Sequence, residues 1–113
     1  MRVSVTTRSS KDDGVKEYAQ EKLERLDRHA VHIHEARLTL DFDNHRVPPA
    51  FAEVVAHVDH LQLVAKVEAH TEREAVDLVM DKMDAQVRKH KDRATDYKGG
   101  IRADGEVPPA KVV

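Results

Sequence analysis

Cationic side chains recur at helical spacing between residues 71 and 93. Lys82, Gln86, Lys89 and Arg93 follow one another at intervals of four, three and four residues, so they share one stripe of an α-helix. Lysine and arginine aligned in this way can bind phosphate or another anion. A ligand-free interpretation stays open, because the helix dipole favours acidic residues early and basic residues late, and a charged face is usually only solvated.

A second predicted helix repeats this arrangement. It begins near Ser10 and Asp13, which resemble a capping box, and ends near residue 29. One flank carries the side chains of Tyr18, Lys22, Arg25 and His29, whereas acidic residues occupy the far side. Two helices with an apolar face beside a cationic flank indicate anion binding more strongly than one does.

Catalytic and metal chemistry find little support in the sequence. The chain has eight histidines and no cysteine, so thiolate nucleophiles and thiolate metal sites are excluded. His32 and His34 share a strand face, but a zinc site needs three or four convergent ligands and no HExxH spacing is present. No serine lies in a glycine-rich elbow and no glycine-rich phosphate loop exists. A histidine metal enzyme is the weakest hypothesis, and we expect a non-enzymatic protein without a cofactor.

Length and composition favour one small domain. The 113 residues are 40% apolar and 35% charged, with a net charge of −2, which argues against indiscriminate nucleic-acid binding. No apolar run approaches the ~18 residues of a membrane span. Because no signal-peptide segment or cysteine is present, we expect a cytoplasmic location.

The later helix is defined by its cap and its apolar stripe. Thr71 is the predicted N-cap and Glu74 completes a capping box. Helical periodicity places on one buried face the side chains of Val76, Val79, Met80, Met83, Val87 and Ala94.

Alternating apolar residues predict the strands. They fall at residues 2–7, 31–42, 51–59 and 61–69, with a breaker segment at 43–49. The order β-α-β-β-β-α predicts an α+β fold, a four-stranded sheet with both helices on one face. The two cationic flanks would then converge on the groove between the helices. Residues 1–98 form the predicted domain, and residues 99–113, with paired glycines and prolines and no periodicity, form a flexible tail.

Several ordered motifs resemble one protein family. The clearest are AVD at residues 75–77, DKM at 81–83 and QVRKHKDR at 86–93. The first helix contains KLERLDR at residues 22–28, and the last strand contains LVAKVEA at residues 63–69. In this order and spacing they resemble the ribosome hibernation promoting factors, also called ribosome-associated inhibitor or Y-type proteins, over nearly all of residues 1–98.

The resemblance implies a fold like that of the double-stranded-RNA-binding domain and a protein that is not an enzyme. Such a protein occupies the tRNA–mRNA channel of the small ribosomal subunit under stress, contacts 16S rRNA and silences translation. The implied partner is the small subunit, with no DNA and no membrane, and the implied state off the ribosome is a monomer. The rRNA-binding residues carried over by position are Lys22, Arg25, Arg28, Lys82, Arg88, Lys89, Lys91 and Arg93.

Two substitutions depart from the family pattern, and the length of the chain is that of the short members. Ala85 replaces a frequent basic residue, and Arg73 replaces an aromatic residue that is usual just before the AVD motif. The resemblance is to the short members of the family, which lack a C-terminal domain that pairs ribosomes.

A competing hypothesis from another class is a protein-interaction module that uses the outer face of the sheet. Val55, Val64 and Lys66 are predicted to be exposed on that face.

Overall fold

The predicted order of helices and strands is confirmed. The computed structural model describes residues 1–28 and 32–99, with side chains described as far as His90. Its elements are β1 (Arg2–Arg8), α1 (Val15–Glu24), a 3₁₀ turn (Arg25–Arg28), β2 (Ile33–Phe42), β3 (Ala50–Val58), β4 (Leu61–Ala69) and α2 (Glu72–Gly99). Within these residues, none of the helices is both long enough and apolar enough to cross a membrane.

The four strands form one mixed sheet in the order β1-β2-β3-β4. β1 runs parallel to β2, and the other neighbouring strands are antiparallel. A parallel pair cannot be joined by a tight turn, so α1 serves as the crossover between β1 and β2. The turn between β3 and β4 contains only Asp59 and His60, and Asp59 has a φ of 55°, a left-handed value that aspartate tolerates better than most residues.

The core lies between one face of the sheet and the two helices. α2 packs on β3 and β4, α1 packs on β1, and the helices contact each other. On β3, every second residue from Ala50 to Val58 is fully buried, which is the alternation expected of a strand covered on one side. The predicted stripe of α2 is confirmed as far as side chains are described, with Ala75 added to it: Ala75, Val76, Val79, Met80, Met83 and Val87 are buried.

The start of α2 has the predicted capping box. The Thr71 hydroxyl oxygen accepts a hydrogen bond from the Glu74 N–H at 3.1 Å, and the Glu74 carboxylate accepts one from the His70 N–H at 3.2 Å. These contacts satisfy donors at the first turn that have no intrahelical partner. The helix is longer than predicted, since it continues past Arg93 to Gly99.

The start of α1 differs from the prediction. The capping box at Ser10 and Asp13 is wrong, because the helix begins at Val15 after Gly14, which provides no side-chain cap. The Ser10 hydroxyl donates instead to Glu72 of α2. The Ser10 hydroxyl, which the local sequence predicts as a helix cap, is therefore bound to the carboxylate of Glu72, a residue far away in sequence.

Other predicted boundaries shift or fall outside the description. α1 ends at Glu24 and the chain continues as the 3₁₀ turn, while β2 begins at Ile33 rather than at residue 31. Residues 29–31 and 100–113, which include most of the predicted tail, lie outside the described residues.

The phase of α2 makes a testable prediction about stability. Met83 is fully buried, so Met83→Ala is expected to lower the free energy of unfolding by about 2–5 kcal/mol. Lys89 is exposed, so Lys89→Ala should change it by no more than about 0.5 kcal/mol. Urea unfolding of the two variants measures both values, and equal losses would show that the helix is rotated differently about its axis.

Candidate functional site

Cations of α1 and of the 3₁₀ turn face acidic residues of α2 in the groove between the helices. Asp77 accepts a hydrogen bond from the Tyr18 hydroxyl at 2.6 Å, and the Lys22 ammonium lies 3.4 Å from the same oxygen. Farther along the groove, the Arg28 guanidinium lies 3.9 Å from the Asp84 carboxylate. The interhelix groove, as we call this row of contacts, is electrostatically self-complementary and joins the two helices.

Arg73 closes one end of the interhelix groove. Its guanidinium donates to the Asp12 carboxylate at 2.7 Å and lies 4.9 Å from the centroid of the Tyr18 ring. The hydrogen bond from Arg73 lowers the pKa of Asp12, and the same bond raises the pKa of Arg73. Arg73, which occupies a position where the family pattern has an aromatic residue, thus packs on the aromatic ring of α1.

The opposite flank of α2 lies over the free edge of the sheet. The Lys82 ammonium donates to the Lys66 carbonyl at 3.0 Å, and the Gln86 amide donates to the Val64 carbonyl at 2.8 Å. β4 is an edge strand, so one row of its backbone groups has no neighbouring strand to pair with, and side chains of α2 bond to these two carbonyls. The long polar side chains of α2 thereby cover part of an exposed strand edge.

The predicted convergence of the two cationic flanks is therefore wrong. Lys22 lies in the interhelix groove, whereas Lys82 lies at the β4 edge. Five residues separate Asp77 from Lys82, a rotation of about 140° around the helix axis. Because the apolar stripe of α2 must face the sheet, its acidic flank turns toward α1 and its cationic flank turns away.

Three of the predicted site residues are exposed cations. Arg25, Arg88 and Lys89 are solvent-exposed, and among the side chains that the structure describes none of them has an ion-pair partner. The backbone of Lys91 and Arg93 belongs to α2, but their side chains lie outside the described part.

These three cations lie toward one end of the molecule, which we call the hairpin end because it contains the Asp59–His60 turn. The His90 ring lies 3.1 Å from the Asp59 carboxylate, so the described part of α2 finishes at this turn. Ile33 pairs with Val58, which places the start of β2 there as well. The 3₁₀ turn precedes β2, so the last part of α1 approaches the same end.

Sequence reasoning missed Glu72, the one charged residue buried among those described. Its carboxylate accepts hydrogen bonds from the Ser10 hydroxyl and from the Lys11 N–H, the latter at 2.8 Å. A signal was available, since Glu72 lies four and seven residues before Val76 and Val79, on the apolar stripe itself. An acid at such a position must find donors inside the fold, and it fixes the loop between β1 and α1 against α2.

Two of the histidines contact each other. His32 and His34 approach each other to 3.1 Å between ring nitrogens, so one ring donates and the other accepts. Within the part of the chain whose side chains are described, no three or more histidine and acidic side chains are placed to hold a metal ion.

Together these features define a small α+β domain with cations at one end, a class suited to binding a polyanion. The chain belongs to the family described as sigma 54 modulation protein / S30EA ribosomal protein, whose family model matches residues 3–95. It is 32% identical over 97 residues to the ribosome hibernation promoting factor of Azotobacter vinelandii, covering 85% of this chain and 88% of that protein.

Solved structures share the fold. The N-terminal domain of Thermus thermophilus Protein Y matches with a TM-score of 0.66 at 22% identity, over 80% of this chain and 99% of that one. A ribosomal subunit interface protein from Coxiella burnetii matches with a TM-score of 0.65 at 18% identity, over 80% and 98% of the two chains. These likenesses support the α+β architecture, while the comparison with the double-stranded-RNA-binding domain stays a prediction.

The interhelix groove makes a prediction about tyrosine ionisation. The hydrogen bond to Asp77 raises the pKa of Tyr18. The contribution of this bond to stability is then complete below the ordinary tyrosine pKa of about 10 and is lost as pH rises through the higher folded value. Asp77→Asn should lower the pKa of Tyr18 toward its ordinary value.

Phenolate absorbance as a function of pH measures this shift. A Tyr97→Phe background leaves Tyr18 as the only reporter, because the chain has two tyrosines. Asp81→Asn is the matched control, since it removes an exposed acid one turn farther along α2. If both variants titrate with the same midpoint as the parent, the Tyr18–Asp77 hydrogen bond is not formed in solution.

Proposed function

We propose that this protein is a ribosome-binding translation inhibitor, a hibernation factor that occupies the tRNA–mRNA channel of the small subunit under stress. Membership of the S30EA family and the likeness to a ribosome hibernation promoting factor support this proposal. The ligand is the phosphate backbone of 16S rRNA, and the protein acts by occupying a site rather than by catalysis.

One structural observation carries the proposal: Arg25, Arg88 and Lys89 are exposed near the hairpin end, without ion-pair partners among the described side chains. An unpaired surface cation can meet a phosphate without first giving up an internal contact. It also releases counterions from RNA on binding, which gives affinity even when the protein has a net charge of −2.

Three other predicted cations already make contacts within the described part of the protein. Lys22 and Arg28 face acids in the interhelix groove, and Lys82 donates to a backbone carbonyl at the β4 edge. A phosphate that approaches these side chains competes with a neighbouring carboxylate or carbonyl. We therefore expect them to contribute less to affinity than the unpaired cations, although all eight predicted residues belong to the proposed interface.

Salt titration of binding to purified small subunits tests the proposal. Arg25→Ala and Lys89→Ala should each weaken binding and reduce the slope of log K against log salt by about 0.7–0.9, one phosphate contact each. Asp81→Lys should not weaken binding, because it reverses an exposed acid without removing a cation.

Lys16→Ala is the matched control for these variants. Lys16 is exposed on the first turn of α1, at the opposite end of that helix from Arg25. Lys16→Ala removes one positive charge, as the other two variants do, but away from the proposed interface, so it should leave the salt slope unchanged. Parallel slopes for the wild type, Arg25→Ala and Lys89→Ala would contradict the proposed interface, as would an equal loss in Lys16→Ala.

The outer face of the sheet carries the competing hypothesis of a protein-interaction module. Two of its cations lie near acids: Arg37 is 3.8 Å from Glu35 on the same strand, and Lys66 is 4.0 Å from Glu53 on the neighbouring strand. Val64, 37% exposed, pairs with Val55 to form a small apolar patch.

Val64→Gln separates the two hypotheses. It removes the exposed apolar side chain without changing the charge of the protein. Small-subunit binding should be unchanged if the hairpin end provides the interface. A loss of subunit binding with an unchanged melting temperature would assign the interface to the outer sheet face instead.

A further inference from the structure

Histidines gather at the hairpin end of the molecule. His32 and His34 lie at the start of β2, His57 at the end of β3, His60 in the turn and His90 on α2. Strand pairing brings them together, because Glu35 pairs with His57 and Ile33 with Val58. In addition, the Asp59 N–H donates to the His32 carbonyl at 3.4 Å, and Asp59 contacts His90. His45 and His70, by contrast, lie beyond the other ends of their strands.

The five histidines have different surroundings. His90 is largely buried and already contacts the Asp59 carboxylate, so its ring is not free to contact an external anion. His57 is half-buried beside Glu35, whereas His32, His34 and His60 are exposed. The His32 and His34 rings share one hydrogen bond at 3.1 Å, in which one ring nitrogen donates and the other accepts.

The charged groups around these histidines come from every neighbouring element. The cations are the Met1 amino group, Arg2 of β1, Arg25 and Arg28 of the 3₁₀ turn, Arg37 of β2, and Arg88 and Lys89 of α2. The acids are Glu24 of α1, Asp27 of the 3₁₀ turn, Glu35 of β2, Asp59 of the turn and Asp84 of α2.

The exposed histidines lie close to the proposed RNA-binding cations. Lys89 is adjacent to His90, which contacts the turn that contains His60. Arg28 contacts Asp84, six residues before His90 and so about 9 Å from it along the helix axis. The hairpin end therefore combines fixed cations with side chains whose charge depends on pH.

We propose that the hairpin end is a proton-dependent anion-binding surface, in which His32, His34 and His60 gain charge as the pH falls and strengthen binding to the rRNA phosphate backbone. This inference rests on the proposed function. Histidine as a class changes charge between about pH 5 and pH 8. A histidine that meets a phosphate is charged more readily, so binding takes up protons and affinity rises on acidification.

Affinity for purified small subunits at about pH 8 and about pH 6, each over a range of salt, tests this inference. We expect binding about three- to tenfold tighter at the lower pH, with a salt slope steeper by about 0.7–0.9 for each histidine that gains a phosphate contact. In the His32→Gln/His34→Gln/His60→Gln variant, the strengthening of binding between about pH 8 and about pH 6 should be lost.

His45→Gln/His70→Gln is the matched control. Both residues are exposed and lie away from the hairpin end, so this variant should keep the full pH response. Melting temperatures at both pH values verify that each variant is folded. An equal loss of the pH response in the control, or its persistence in the triple variant, would overturn the inference.

The remaining outcomes separate the inference from the proposed function. Salt-dependent binding by the wild type at both pH values, with equal affinity and equal slope, would overturn the proton-dependent surface and leave the ribosome-binding proposal standing. Absence of binding at either pH, even at low salt, would overturn both.

Discussion

The burial of the apolar stripe of α2 against β3 and β4 is the constraint on which the surface of this protein depends. A helix that must direct Met83 and Val87 into a core has its rotation fixed to within a few tens of degrees, so its flanks cannot be chosen independently. One flank then carries Asp77 and Asp84 toward α1, and the other carries Lys82 and Gln86 over the β4 edge. The distribution of charge over the molecule follows from this one packing requirement.

Because of this distribution, lysine and arginine side chains of the two helices make different kinds of contact. Lys22 and Arg28 complement acids between the helices, and Lys82 and Gln86 cover an edge strand that could otherwise pair with another chain. Each exposed ion pair contributes only roughly 0–1 kcal/mol to the free energy of unfolding. The ion pairs of the groove therefore help to orient the two helices more than they stabilise the fold. Arg25, Arg88 and Lys89, without such contacts among the described side chains, are the cations best placed to meet a phosphate.

Contacts between residues far apart in sequence account for the predictions that failed. Ser10 has the local pattern of a helix cap, yet its hydroxyl donates a hydrogen bond to the buried carboxylate of Glu72. Charge-assisted bonds to a buried acid outweigh an exposed cap, because an unsatisfied buried carboxylate costs far more than an unsatisfied helix N–H at the surface. The predicted meeting of Lys22 and Lys82 failed for a related reason: periodicity gives the phase of each helix but not which flank faces the other helix.

The sequence by itself determined the order of the elements, the inward residues of the strands, the stripe and capping box of α2, and the family resemblance. These are local properties, since alternation, helical periodicity and capping act over a few residues. Only the tertiary structure decided which cations are paired, how Arg73 packs on Tyr18, and that histidines from two strands, a turn and a helix share one end with Arg25 and Lys89. Those facts depend on strand order, on the parallel crossover and on the rotation of α2, and charges distant in sequence interact through space only once these are set.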